Sequence, residues 1–288
     1  MANIGGIELS APVMNAACSV AKSVDDIKAL LATNIGVITV GTITVEPRDG
    51  NPEPRWFAGD GFALNSFGMP GGGVEYYRTY LPALVEEAHS RGKHLSLSIG
   101  GLSVNEYVTL ATAAEEIGVD FIELNLSCPN VQIDGKQKPI ASFDPEYMVA
   151  VIAAVEAVST KPLLLKLSPY SNPADLTRAA EVAMAGKHVV AVVTSNTFAN
   201  GYYSQDGEPV VAVELAGVSG RSLLPISLGQ VRQFRKLLPE SIAIIGVGGI
   251  ESVSDAEQYF AAGATAVQAA TLIVRDGHDA INQLTEAR

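Results

Sequence analysis

Short runs of consecutive apolar residues alternate with longer stretches in which apolar residues recur every three or four positions, from near the N-terminus to the end of the chain. The first pattern predicts strands covered on both faces, and the second predicts amphipathic helices. Strands are expected at 12–17, 36–42, 94–100, 121–126, 162–167, 189–196, 242–246 and 266–270. Helices are expected at 23–32, 74–91, 105–117, 145–158, 174–185, 227–237 and 254–262, with a last one beginning near Gly277. Ser23 followed three residues later by Asp26, and Asp144 before Pro145, read as helix N-caps.

Eight strand–helix units in strict alternation predict an α/β fold of the TIM (β/α)8 barrel type, with residues 1–288 as one domain. An open doubly wound sheet is the competing topology, but the glycine-rich turn it needs after the first strand is absent. Three connections exceed ordinary loop length: 43–73 after the second strand, 129–144 after the fourth and 197–224 after the sixth. The alternation Val210-Val211-Ala212-Val213 in the third predicts a hairpin there. All three leave the C-terminal ends of strands, the face on which barrel enzymes place their chemistry.

Composition narrows the partners. A net charge of -12 argues against nucleic acid and anionic membrane, both of which need basic patches. Mean hydropathy is +0.23, yet no apolar run reaches membrane length. The opening Met1-Ala2-Asn3-Ile4-Gly5-Gly6 has neither the basic nor the apolar region of a secretory leader. Two distant cysteines, Cys18 and Cys128, suggest no disulfide framework and a reducing compartment. A cytoplasmic protein is expected.

The densest chemistry lies in Glu123-Leu124-Asn125-Leu126-Ser127-Cys128-Pro129-Asn130, where an apolar strand runs into a turn bearing a thiol between two amides. Cys128 can act as base or nucleophile, and Asn125 and Asn130 can each donate and accept toward a planar polar ligand. Taken alone, such a cysteine is more often a small buried side chain beside turn residues. Gly246-Val247-Gly248-Gly249-Ile250 after the seventh strand, with Ala270-Thr271 after the eighth, suits a phosphate, although glycines also serve turns. Lys166 within Leu163-Leu164-Leu165-Lys166-Leu167 is a cation in an apolar strand. It is either half of a structural ion pair or a charge facing an electron-accepting cofactor. Asn65, Asn125, Asn130 and Asn196 all fall at strand ends and could form a collar for a flat heterocycle. His89, His94, His188 and His278 show no ligand spacing, so no metal site is expected.

Together these segments resemble the class 1A dihydroorotate dehydrogenases, the soluble FMN enzymes of pyrimidine biosynthesis. The likeness runs from Asn15-Ala16-Ala17 through Glu46-Pro47-Arg48-Asp49-Gly50-Asn51-Pro52-Glu53-Pro54-Arg55 and Asn65-Ser66-Phe67-Gly68-Met69-Pro70. It continues through the Cys128 segment, Ser195-Asn196-Thr197, Gly217-Val218-Ser219-Gly220 and the glycines after the seventh strand. The resemblance implies oxidation of dihydroorotate to orotate with fumarate as electron acceptor, in a homodimer. Cys128 would take the C5 proton while C6 delivers hydride to the flavin. FMN would be held by Ala16, Ala17, Gly41, Thr42, Asn125, Lys166, Ser195 and Gly220, with its phosphate at Gly248, Gly249, Ala270 and Thr271. The substrate would meet Asn65, Phe67, Gly68, Met69, Asn125, Asn130, Asn196 and Thr197.

The chain departs from the family where the substrate would sit. The family's second strand ends in Thr-Lys-Ser, whose lysine reaches flavin and substrate carboxylate, and Gly41 stands in its place. Losing that charge-assisted contact removes roughly 1.5–3 kcal/mol, or about ten- to a hundredfold in affinity, unless Arg48 or Arg55 compensates. Cys18 replaces Gly, Phe67 replaces Met, Gly71 replaces Asn, Thr197 replaces Ser and Ala270 replaces Gly. One alternative is therefore a related flavin oxidoreductase acting on another dihydropyrimidine or an enone without the carboxylate. Another is a phosphosugar isomerase, aldolase or lyase barrel using Lys166 as base or Schiff-base nucleophile.

Overall fold

A computed structural model describes residues 2–133 and 136–287, so positions 134 and 135 of the long connection after the fourth strand lie outside the described residues. Its strands Val13–Asn15, Val37–Ile43, His94–Ile99, Phe121–Asn125, Leu163–Leu167, Val189–Thr194, Ala243–Val247 and Ala266–Ala269 close into one parallel barrel in chain order. The eighth strand pairs with the first, placing Val267 against Val13, which completes the ring. Every position of the second, fifth and seventh strands is buried, because side chains pointing inward meet the barrel core and those pointing outward meet helices. That two-sided burial explains the continuous apolar runs.

The helices follow from their caps. Ser23 and Asp26 form a reciprocal capping box at Val24–Ala32, and Asp144 accepts the Tyr147 N–H ahead of Pro145–Glu156. The stretch expected as one helix over 74–91 divides into Gly73–Arg78 and Leu81–Ser90. Pro82 has no N–H to continue a helix and sits instead in the first turn of a new one. The last segment is a short α-helix, Thr271–Asp276, then 3-10 turns over His278–Glu286, because Gly277 takes a positive φ of 90°.

The two ends of the barrel are treated differently. A hairpin of Ala2–Ile4 and Ile7–Leu9 lies at the N-terminal mouth, where Ile4 and Leu9 pack with Met14, Val37, Phe121 and Ala266. At the other mouth, the two longest connections build a shared antiparallel sheet of Phe198–Gly201, Ala216–Ser219, Ala63–Asn65 and Trp56–Ala58. The expected hairpin at 210–213 is not a ladder. Val211 instead turns into a small core with Leu64 and Ala216, and the nearby hairpin pairs Ser204–Gln205 with Glu208–Pro209. One mouth is plugged, and the roofed one holds the site.

Candidate active site

A cavity open to solvent occupies the C-terminal mouth, the end at which barrel folds place small-molecule and cofactor sites. Its wall is contributed strand by strand. Ala16, Ala17 and Cys18 follow the first strand, Asn125 ends the fourth, and Lys166 points in from the fifth. Ser195, Asn196 and Thr197 follow the sixth, Gly248 and Gly249 the seventh, and Ala270 and Thr271 the eighth. Trp56, Asn65, Phe67 and Ser219 reach it from the roof, where the Trp56 and Phe67 rings stack with centroids 6.3 Å apart.

Lys166 has no direct carboxylate partner among the described residues. Its Nζ donates to Gln268 Oε1 at 2.9 Å, and Gln268 Nε2 donates to Glu123 Oε2 at 3.1 Å. All three side chains are buried and line the cavity. Burial lowers the Lys166 pKa, against the attraction of Glu123 and Cys18. The arrangement is a cation held at the cavity wall through a neutral amide, and its counter-charge is one residue away. Glu123 Oε1 has no partner among the described residues, so this relay retains an unfilled acceptor.

The glycines after the seventh strand form a cradle. Gly249 has φ +69°, and a Cβ there would lie 2.8 Å from both the Gly220 carbonyl oxygen and the Leu224 nitrogen. The N–H groups of Gly248 and Gly249 donate to no protein acceptor among the described residues. Thr271 Oγ1 lies beside them on the wall and donates to Ser219 Oγ at 3.1 Å. Unspent N–H donors in a space that side chains would close fit the phosphate of a bound nucleotide-like cofactor.

Asn65, Asn125 and Asn196 line the cavity, Asn130 stands behind Asn65, and each is held by a hydrogen bond. Asn125 Nδ2 donates to Thr42 Oγ1 at 2.7 Å, Asn130 Nδ2 to Asn65 Oδ1 at 3.1 Å, and Asn196 Nδ2 to Ser127 Oγ at 3.0 Å. Asn51 Nδ2 donates to the Asn130 carbonyl at 3.0 Å, which ties the loop after the second strand to the turn after Cys128. Thr197 Oγ1 is buried at the wall with no partner among the described residues, leaving a hydroxyl for a ligand.

Cys128 lies next door rather than on the large cavity. It lines a much smaller space with Met69, Gly100, Tyr107 and Lys138, and Asn125 lines both spaces. Burial raises the Cys128 pKa, opposed by a backbone hydrogen bond at Asn130 and by the charges of Lys22, Lys138 and Arg48. Burial likewise lifts the Cys18 thiol to about 11.

Of the residues expected from sequence, Gly41, Thr42, Gly68, Met69, Gly220 and Asn130 stand behind the large wall, supporting it or lining the smaller space. Gly41 is special. Its φ is +117°, and a Cβ there would sit 2.5 Å from the Ser98 carbonyl oxygen, so the backbone at this position excludes a side chain. Both proposed compensators already have a partner. Arg55 pairs with Glu53 at 2.9 Å, and Arg48 Nε donates to the Gly68 carbonyl at 3.3 Å. Sequence reading missed Glu123 and Gln268 as partners of Lys166, although a lone polar residue in a buried strand is the signal that found Lys166 itself. It also missed Trp56, which lies in a short roof strand with no such signal.

The fold further gathers His89, His94 and Asp120 at the N-terminal ends of the third and fourth strands, their ligand atoms within 4.8 Å of one another. His94 comes from the strand, Asp120 from the turn before the next, and His89 from the preceding helix, which is why spacing along the chain gave no hint. His94 Nδ1 and His89 Nε2 lie 3.2 and 3.0 Å from Asp120 Oδ1.

A family model described as dihydroorotate dehydrogenase matches residues 1–287. A Streptococcus pneumoniae protein named "probable dihydroorotate dehydrogenase A (fumarate)" is 34% identical over 288 residues, covering 98% of this chain and 89% of that one. A Trypanosoma cruzi protein named "dihydroorotate dehydrogenase (fumarate)" is 34% identical over 283 residues, covering 96% and 87%. A Streptococcus agalactiae protein named "putative dihydroorotate dehydrogenase A (fumarate)" is 31% identical, covering 98% and 90%. A family-model match over residues 1–287, with relatives 31–34% identical over nearly the whole chain, leads to one conclusion: this chain belongs to the dihydroorotate dehydrogenase family, a family of flavoproteins.

Proposed function

We propose that this protein oxidises (S)-dihydroorotate to orotate in pyrimidine biosynthesis, with FMN as its flavin and fumarate as its electron acceptor. The observation that carries the reading is the pairing of a roofed cavity fitted for a nucleotide-like cofactor with a thiol in the adjoining space, both touching Asn125. FMN, when bound, supplies the two-electron acceptor for the C5–C6 bond of the substrate. Gly248, Gly249 and Thr271 would hold its phosphate, Lys166 would face the ring edge that gathers negative charge, and Ala16, Ala17 and Ser195 would line the ring's bed.

Cys128 is assigned as the base that removes the C5 proton, and Asn65, Asn125, Asn130 and Asn196 as the donors and acceptors that orient the planar substrate. Because each collar amide is already hydrogen-bonded, Asn125 to Thr42, Asn196 to Ser127 and Asn130 to Asn65, their orientations are set before the substrate arrives. The roof of Trp56 and Phe67 would exclude water from the reacting bond. A homodimer in the cytoplasm is part of this reading, by resemblance to the class 1A enzymes.

The test is anaerobic mixing of the purified, yellow protein with dihydroorotate and, separately, with dihydrouracil. Rapid bleaching near 450 nm (roughly the flavin absorption maximum) by dihydroorotate alone is expected. Bleaching by dihydrouracil but not dihydroorotate, or a protein that carries no flavin, would overturn the assignment.

A further inference from the structure

The charge missing at Gly41 has a counterpart in the loop after the first strand. Lys22 is half-buried, and its Nζ donates to the Pro70 carbonyl at 2.6 Å. Its own carbonyl accepts the Tyr80 hydroxyl at 2.6 Å, and the Ser23–Asp26 capping box begins at the next residue, so its backbone is fixed on both sides. An ammonium has three donors. Among the described residues Lys22 spends one, on a neutral carbonyl, and no carboxylate lies within ion-pair distance. The cation is therefore desolvated without a counter-ion, and burial draws its pKa down to about 8 against the pull of the two thiols.

Its surroundings say which anion would complete it. Pro70 adjoins Met69, which lines the small cavity with Cys128, while the Cys18 thiol, also within the field of Lys22, lines the large one. The Ala21 carbonyl accepts the Gly41 N–H at 3.2 Å, so Lys22 stands one residue from the backbone partner of Gly41 and, through its bond to Pro70, beside the loop 65–70. Lys166 is bonded to Gln268 and Arg55 to Glu53, while Lys138 and Arg48, like Lys22, each donate to one carbonyl, of Gly101 and Gly68; of these three, Lys22 is the one whose neighbour Ala21 bonds Gly41. We infer that Lys22 is the residue that binds the substrate's carboxylate in this protein, taking over from the adjacent loop the charge that the backbone at Gly41 cannot carry.

This inference rests on the function proposed above and deepens it, because a cation placed here selects a carboxylated dihydropyrimidine over a neutral one. It is tested on the holoprotein with Lys22→Met, which keeps the length of the stem and removes the charge, and with Lys22→Arg, which keeps the charge. Dissociation constants are measured from the flavin spectrum for orotate and for its uncharged carboxamide. Lys22→Met is expected to weaken orotate about ten- to a hundredfold, leave the carboxamide within about twofold, and retain its FMN. Lys22→Arg should recover most of the orotate affinity. Should Lys22→Met fail to fold, Lys22→Gln, which can still donate to Pro70, must show the same split. Unchanged orotate affinity in these variants, or equal weakening of both ligands, overturns the role of Lys22. A wild-type protein that dihydroorotate does not bleach overturns the functional reading instead, and this is seen before any variant is made.

Discussion

At the scale of single residues, the site is decided by what each atom still has free. Cys128 is the one thiol whose burial is offset by three nearby cations, yet its pKa remains above the usual thiol range. A base with a raised pKa is mostly protonated at neutral pH. Flavin reduction by dihydroorotate should therefore quicken as pH rises through the mildly alkaline range and level off only once the thiol has ionised. Stopped-flow reduction across a pH series from neutral into the alkaline range checks this, and a flat profile would remove Cys128 from the proton step. Cys128→Ala should slow that reduction by about two to four orders of magnitude, with FMN content unchanged. Near wild-type reduction in the variant would exclude the thiol. Gly41 gives a prediction of the opposite kind. Restoring a lysine there looks attractive from the sequence, since the family has one, but a Cβ would meet the Ser98 carbonyl at 2.5 Å in a backbone with φ +117°. Gly41→Ala alone should cost about 1–3 kcal/mol in urea unfolding, and Gly41→Lys no less, without improving orotate binding. A Gly41→Lys protein of wild-type stability would mean the backbone here relaxes freely.

Among elements, the strands and helices were legible because each obeys one local rule. Buried strands read as apolar runs, and Ser23, Asp144 and Pro145 mark where helices begin. The break at Thr79–Leu81 escaped because periodicity continues across it, and only Pro82 betrays the new first turn. The His89–His94–Asp120 cluster escaped for a different reason: a helix end, a strand start and a turn contribute one residue each. His94 also bonds the Glu8 carbonyl through Nε2, so the cluster ties the third strand to the N-terminal hairpin. The hydrogen bond to Asp120 raises the His94 pKa, against burial. Burial acts to raise the Asp120 pKa, but bonds from His94, the Leu95 N–H and His89 prevail and hold it below the usual carboxylate range. The signs set a window. The His94 contribution is complete below the unfolded histidine pKa of about 6.5 and fades as pH rises through the higher folded value. The Asp120 contribution is complete above the unfolded value of about 3.9 and fades as pH falls through the lower folded one. Thermal unfolding of wild type against His94→Gln should thus differ most between about pH 4 and 6.5, and the two should converge at alkaline pH. A difference that grows above pH 8 would contradict this assignment.

For the whole molecule, the barrel could be read from the sequence, whereas the roof could not, since its order comes from pairing two connections separated by some 150 positions in the chain. Asn65 pairs with Gly217 and Leu64 with Val218, and neither loop carries a strand signal strong enough to predict a partner so distant. The amides at strand ends could be listed as a collar from sequence, but the bonds among Asn65, Asn130 and Asn51 that fix them exist only once this roof closes. The barrel below depends on it little: its core of outward-facing residues and helices is a separate cluster from the small one formed by Leu64, Val211 and Ala216 under Phe57, Phe62 and Val218. The molecule therefore joins a rigid base to a locally stabilised lid, and the two should fail separately. Leu64→Ala tests this. Deleting a fully buried leucine typically costs about 2–5 kcal/mol, and here that loss falls on the roof. Hydrogen exchange should accelerate together over 56–65 and 198–219, because each segment is held by the other, while the strands at 163–167 and 189–194 keep their protection. FMN should stay bound through the barrel glycines, and the dissociation constant for orotate should rise, since Asn65 and its partner Asn130 lose their anchor. Uniform acceleration across barrel and roof would show instead that the two form one cooperative unit, and acceleration in 56–65 alone would show that the sheet does not couple the loops.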